Sequence, residues 1–341
     1  MANRNQTIDL LKGIAVLLMI QVHILELFAS PAIYYSNIGR ILLFLGGPPV
    51  APVFMLLMGY FTMRSKKTSK QLIVRGLIFF SSGMLLNILL NLNLVISVNK
   101  NLLKLEIAPY IFGVDILQFA GLSTIIIALL KKTFEKSRML LVTCIITFAF
   151  LGHYLLNYIP QNMLLKYFAA FFFGTSFWSY FPLFPWLAYP LTGMAFYQLK
   201  KYLNPDHFQK SKTKLLVGIL FLLFLTLTIK YAISVAADLT SYYHHGFVFF
   251  LWVVIFAFFY GFFTFQLNAF TSKVLNYIRW LGENVTAIYI VQWIIIGNVA
   301  TTIYQSVSNP FYLGTWFLAV VLVSSAIVYV LLQNFKITRI P

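Results

Sequence analysis

Charge is what this sequence lacks. Only 10% of its 341 residues are charged, and 8 acidic residues stand against 25 basic ones. A water-soluble fold of this length needs far more polar surface, so soluble enzymes and soluble binding modules are excluded. Cysteine is nearly as scarce: the single Cys144 rules out a disulfide framework and any cysteine-built metal site. No fixed-period repeat is present, which sets aside solenoids and propellers. Nor is there a clear inverted pair of Gly- or Pro-broken segments of the kind transporters often carry. The loops between apolar runs reach only about 15 residues, so no soluble domain fits between them.

Apolar residues fill the space that charge leaves. They make up 60% of the chain and raise its mean hydropathy to +0.85. Runs of roughly 20 residues, each able to cross about 30 Å of hydrocarbon, lie near 8–29, 41–63, 71–97, 110–130 and 139–158. Five more lie near 183–200, 214–236, 246–266, 282–304 and 312–334. The pattern predicts an all-α integral membrane protein of about ten transmembrane helices, a single domain over 1–341. The first run has the basic start and the small residues, Ser30 and Ala32, of a signal peptide. Its length and its ionisable residues predict a retained helix instead.

The net charge of +17 would suit nucleic acid if the basic residues shared a face. They sit in short clusters between apolar runs, so nucleic acid is not an expected partner and the lipid bilayer is. With both termini cytoplasmic, 20 of the 25 basic residues fall on the inner side, Arg4, Lys336 and Arg339 among them. Counting the aromatic stretch 160–182 as an eleventh span would move the lysines of 200–214 outside, against the positive-inside rule. That stretch is therefore expected to be an interfacial or re-entrant outer segment.

Within the first run, Lys12 and His23 are eleven residues apart, close to three helical turns, or about 16 Å along one face. Asp9 and Glu26 share that stripe. Ionisable groups are costly in lipid, so the stripe is expected to face protein or a wet cavity and to mark function. Neutral imidazole takes a proton from a hydroxyl or amine near pH 7, which makes His23 the catalytic candidate, with Glu26 orienting it. A helix-end anchor plus a hydrogen-bonded core histidine is the plain alternative.

The cluster Arg64, Lys66, Lys67, Lys70 and Arg75 suits phosphates or anionic headgroups, although topology alone accounts for its lysines. Arg75 lies inside LIVRGLIFF and is expected to have an anionic partner. Pro48, Pro49 and Pro52 should distort the start of the second span. Asp115 and Glu283, near span starts, fit helix capping as well as a site role. His244 and His245, with Asp238 nearby, supply too few ligands for a metal, so no metal is expected; contact with an acceptor or plain interfacial placement fits them better. His153 and His207 show no partner pattern.

Four stretches together resemble a family. RNQTIDLLKGIAVLLMIQVH is similar to the opening of transmembrane acyltransferases, including the acyltransferase-3 family. FPLFPWLAYPLTGMAFYQLKK, 181–201, resembles more specifically the heparan-α-glucosaminide N-acetyltransferase-like branch. VDILQFAGLSTIIIALL, 114–130, and RWLGENVTAIYIVQW, 279–293, are similar to further stretches of the family. The resemblance implies transfer of an acyl group, usually acetyl, from cytoplasmic acyl-CoA to a glycan or lipid-linked saccharide beyond the membrane. Acetyl-CoA or another acyl-CoA is then a donor substrate, and no permanently bound cofactor is expected.

By the same resemblance His23 is the catalytic histidine, a general base or acyl carrier. Lys12, Arg64 and Arg75 are the acyl-CoA-binding candidates. Asp9, Asp115, Trp186, His244, His245, Glu283, Asn284 and Gln292 are candidates for acceptor contact or structural polar roles. Two departures stand out: Lys12 replaces an Arg and lacks its bidentate fork, and Gln292 stands where relatives often carry His. The human lysosomal relative places its proposed histidine in a loop that this chain does not share. The expected setting is the plasma membrane, multi-pass, with a homodimer left open. A reading from another class is a proton-coupled transporter or flippase of lipid-linked sugars, with the first-helix stripe as proton relay.

Overall fold

The computed structural model describes residues 5–156, 158, 160–202 and 205–334; Arg4, Lys336 and Arg339 lie outside them. Among the described residues the only β features are two isolated bridges. Helix dominates because backbone polar groups in lipid must be satisfied within their own segment. Nine helices among the described residues are long and apolar enough to cross a bilayer, and each coincides with one of the expected runs. The chain is a multi-pass membrane protein.

The first run forms α1, Gln6–Phe28. The second is interrupted, as its prolines predict, into α2, Asn37–Gly46, and α3, Ala51–Arg64. Next come α4, Ser69–Leu90, α5, Ile116–Lys136, and α6, Arg138–Leu155. The run at 183–200 differs from the other nine. It is split into a single turn, α7, Leu183–Trp186, and the short α8, Ala188–Leu199. A proline restricts the residue before it to extended backbone, and Phe184, preceding Pro185, has φ −101° and ψ 119°. The remaining elements are α9, Ser211–Ala236, α10, Phe247–Leu267, and α11, Lys273–Glu283. The chain then runs through α12, Val285–Ile303, and α13, Pro310–Asn334.

Residues 160–182 contain no spanning helix. A two-turn helix, Met163–Ala169, is followed by irregular backbone, whose polar groups find partners elsewhere. Val114 N–H donates to the Trp178 carbonyl at 2.7 Å, and Leu183 N–H to that of Phe171 at 2.9 Å. Ser179 Oγ donates to the Ala170 carbonyl at 2.6 Å.

The chain divides into two compact units. One comprises Met1–Val50, Leu86–Ile107 and Tyr260–Pro341, the other Ala51–Leu85 and Ala108–Phe259. In the first unit α1 is central and packs against α2, α11, α12 and α13. Its closest approach is to α11, where a side chain on Gly13 would overlap the Ile278 carbonyl and one on Gly282 the Asp9 carbonyl. Small residues let helix backbones approach, which is how dispersion holds helices together in lipid. Asn298 adds polar ties: it accepts from Asn93 N–H at 2.8 Å and donates to the Leu89 carbonyl at 2.9 Å. In the second unit α3 and α8 meet in the same way, Gly59 on the Pro190 carbonyl and Gly193 on that of Leu56.

Candidate active site

In the first unit His23, half-buried on α1, is held from two sides by α12. Its Nδ1 meets the amide of fully buried Gln292, 3.2 Å from Oε1 and 3.1 Å from Nε2. Its ring packs on Trp293 with centroids 4.0 Å apart and a 31° tilt. Both contacts restrict rotation of the imidazole and leave Nε2 outside them. The helix itself is set by side-chain chemistry at its start, where Asn5 caps it by accepting from Ile8 N–H at 3.2 Å.

A contact that can orient the ring comes from Gln292, which the sequence suggests only as an acceptor or structural polar residue. Glu26, the expected orienting carboxylate, is half-buried one turn further along α1. Trp293 was missed altogether. The signal lay in the stretch RWLGENVTAIYIVQW, whose last two residues are this pair.

Lys12 is already paired, its Nζ 3.0 Å from Asp9 Oδ1. Buried Asp9 and its partner form an i,i+3 bridge beside the α1–α11 contact, the geometry in which helical side chains meet. Glu283 does not cap the following span. It is the last residue of α11, and Asn284 forms the junction with α12 at φ −112° and ψ 25°. Asn284 closes that turn by donating from Nδ2 to the Trp280 carbonyl at 2.9 Å. The difference arises because the helix before the span, Lys273–Glu283, runs up to the Gly-Glu-Asn junction, so Glu283 ends that helix and the spanning helix begins at Val285.

The second unit holds the other candidates. Asp115 proves to be a helix cap: it accepts from Ile116 N–H at 2.7 Å, and Gln118 Oε1 accepts from Asp115 N–H at 3.2 Å. This capping box satisfies donors that the first turn leaves open. Arg75 lacks the expected anionic partner. It is half-buried, its guanidinium rests 5.2 Å from the Phe79 ring one turn on, and no described carboxylate pairs with it. A ring face offers a cation part of what an anion would. Arg64 is exposed at the last turn of α3.

Trp186 is a fully buried core residue whose Nε1–H donates to the Tyr243 carbonyl at 2.7 Å. Beside it, His245 uses both ring nitrogens. A carbonyl only accepts, so Nδ1 donates to Tyr242 O at 2.7 Å, and Nε2 accepts from the Tyr189 hydroxyl at 2.8 Å. His244, also buried, makes no side-chain hydrogen bond to a described residue. Among the described residues no cluster of three or more His, Cys, Asp or Glu could hold a metal.

Burial lowers both histidines from 6.5 to about 4, because the cation is penalised away from water. Their folded-state values lie below the unfolded one, so between about pH 6.5 and 4 the unfolded chain binds more protons. Stability is therefore full above about pH 6.5 and is lost as pH falls toward 4. The thermal midpoint of the purified protein should drop across that window, and His245→Gln should flatten the dependence.

No curated protein and no solved structure matches this chain. One family model does, that described as heparan-alpha-glucosaminide N-acetyltransferase, catalytic, over residues 4–234. The match spans α1 with His23, the basic cluster at 64–75, the Asp115 cap and the α7–α8 segment. An apolar multi-helix chain agrees with it, and the chain belongs to the heparan-α-glucosaminide N-acetyltransferase catalytic family of membrane acetyltransferases.

Proposed function

We propose that the protein is an acyl-CoA-dependent acetyltransferase of the plasma membrane with both termini cytoplasmic. It moves an acetyl group from cytoplasmic acetyl-CoA to a hydroxyl or amine of a glycan or lipid-linked saccharide on the far side. The observation that supports this reading is the fixed His23 ring, with Nδ1 on Gln292 and one face on Trp293. With Nδ1–H donated to Gln292 Oε1, the lone pair resides on Nε2, the tautomer that a base or nucleophile needs.

In the direct route Nε2 accepts the acceptor's proton as its oxygen or nitrogen attacks the thioester carbonyl. The carbon–sulfur bond then breaks and CoA leaves as thiolate. In the two-step route Nε2 itself attacks, releasing CoA and forming an acetyl-imidazole that the acceptor then cleaves. Arg75, cationic and with no carboxylate partner among the described residues, suits the donor's phosphates, and Arg64 adds charge nearby in sequence. Lys12 would meet a phosphate only by giving up its bond to Asp9.

The reading is tested with sealed vesicles given labelled acetyl-CoA on the cytoplasmic side and envelope glycan on the other. Labelled glycan on the far side is the expected product, and its absence rejects the proposal. Label on the protein before acceptor is added marks the two-step route. Gln292→Ala removes the contact that sets the ring, worth about 0.5–1.5 kcal/mol. Turnover should fall about three- to tenfold, with the KM for acetyl-CoA unchanged.

A further inference from the structure

A cavity of about 300 Å³ lies within the second unit, apart from His23 and its partners in the first. That volume is at the lower end of small-ligand sites, roughly 300–1,000 Å³. Its lining includes Tyr231, Thr240, Ser241, His244, His245 and Phe249. His153, for which the sequence suggested nothing, also lines it.

The hydrogen-bonding capacity of this wall is uneven. His245 has no free nitrogen, because one donates to Tyr242 O and the other accepts from Tyr189. It braces the wall. His244 is 7% exposed, and its ring makes no hydrogen bond to a described residue. A neutral imidazole offers one donor and one acceptor, and at His244 neither is taken by a described residue. The Thr240 and Tyr231 hydroxyls likewise make no hydrogen bond to a described residue. Ser241 donates to Asp238 Oδ2 at 2.6 Å and so turns its remaining capacity, as an acceptor, outward.

Charge selects among ligands. Among the described residues no Lys, Arg, Asp or Glu lines the cavity, and burial keeps His244 neutral at pH 7. A charged ligand would lose its hydration here without gaining a counter-charge. Phe249, buried in the wall, supplies an apolar surface next to these hydroxyl and imidazole groups. A compact ring with an apolar C–H face and a rim of hydroxyls matches both kinds of surface.

We infer that this cavity binds one uncharged, sugar-sized polyhydroxyl ring, with His244 and Tyr231 as the hydrogen-bonding residues that face it. The site names a binding place for a saccharide. It rests on the acyltransferase reading only for why a saccharide should come to it, and binding itself is independent of acyl transfer.

The test is saturation-transfer NMR on the full chain in lipid nanodiscs, with methyl β-glucopyranoside and inositol as probes and glucuronate as the charged control. Saturable millimolar binding of the neutral probes is expected, with glucuronate at least tenfold weaker. His244→Ala should weaken binding about tenfold and Tyr231→Phe about threefold, one or two hydrogen bonds each. Tyr231 is 41% exposed, so its phenylalanine variant reads out binding even if the histidine variant does not fold. His23→Ala should bind the probes as tightly as the unmodified protein while failing to transfer acetyl. No saturable binding, glucuronate bound as well as the neutral rings, or unchanged affinity in Tyr231→Phe overturns the inference. Loss of binding in His23→Ala also overturns it, because the sugar would then sit at the other unit's histidine. Sugar binding without acetyl transfer by the unmodified protein would reject the enzyme reading alone.

Discussion

His23→Ala is expected to lower acetyl transfer by about 10²- to 10⁴-fold, the usual contribution of a positioned acid–base group. The loss should appear in turnover, with binding of acetyl-CoA retained, because the imidazole is proposed to act on the acceptor's proton or the acyl carbon and not on the donor's phosphates. A conservative His23→Gln variant keeps a polar group of similar reach for Gln292 and Trp293 but cannot accept a proton near pH 7. It should be as inactive as the alanine variant while melting like the unmodified protein. Label transfer undiminished in either variant would remove His23 from the chemistry and leave it a packed core histidine.

The second large effect concerns folding. Gly282→Leu is expected to cost at least the ~1–3 kcal/mol of ordinary overpacking, since the obstacle is the Asp9 carbonyl and not the end of a side chain that can rotate away. Thermal melting in detergent should show a much lower midpoint, with Gly13→Leu behaving alike because it faces the Ile278 carbonyl across the same contact. Gly314 is the control. A side chain there meets nothing within 4 Å, so Gly314→Ala should be neutral or stabilise by about 0.5–1 kcal/mol through helix propensity and the unfolded chain. Equal melting of all three variants would contradict the close packing of α1 on α11.

These two effects meet on one helix. The face of α1 that carries Gly13 is locked to α11, while His23, nearly three turns on, is held by α12. The bridge between half-buried Lys12 and buried Asp9 lies at the locked end. A basic residue at position 12 meets that carboxylate one turn away on the same helix face. The departure at Gln292 has a physical content as well. An amide directs the imidazole without adding a second titrating ring, and His23 is the one histidine in the sequence of the first unit.

What could be read along the chain was whatever depends on neighbours in sequence. Nine of the ten expected runs are helices long enough to span a bilayer among the described residues, because a lipid-facing segment must be apolar and internally hydrogen-bonded whatever surrounds it. The Asp115 cap was legible as one of two readings, since its partners lie within three residues. His23 stood out because an imidazole in an apolar run is expensive wherever it points. The junction at Asn284 and the break at Phe184–Pro185 carry local marks, a Gly-Glu-Asn stretch and a proline, that hydropathy averaged over twenty residues smooths away, and an aromatic ring one turn away served Arg75 in place of the expected anion.

The sequence by itself determined a multi-pass helical protein, its family resemblance and the histidine on its first helix. Only the tertiary structure decided that Gln292, 269 residues away, holds that histidine, that Trp186 is bound to the Tyr243 carbonyl, and that His244 opens on a cavity while His245 braces it. The reason is that hydropathy and capping are properties of a few consecutive residues. A hydrogen bond between distant helices exists only once packing has set their rotation and depth, and no local pattern records either.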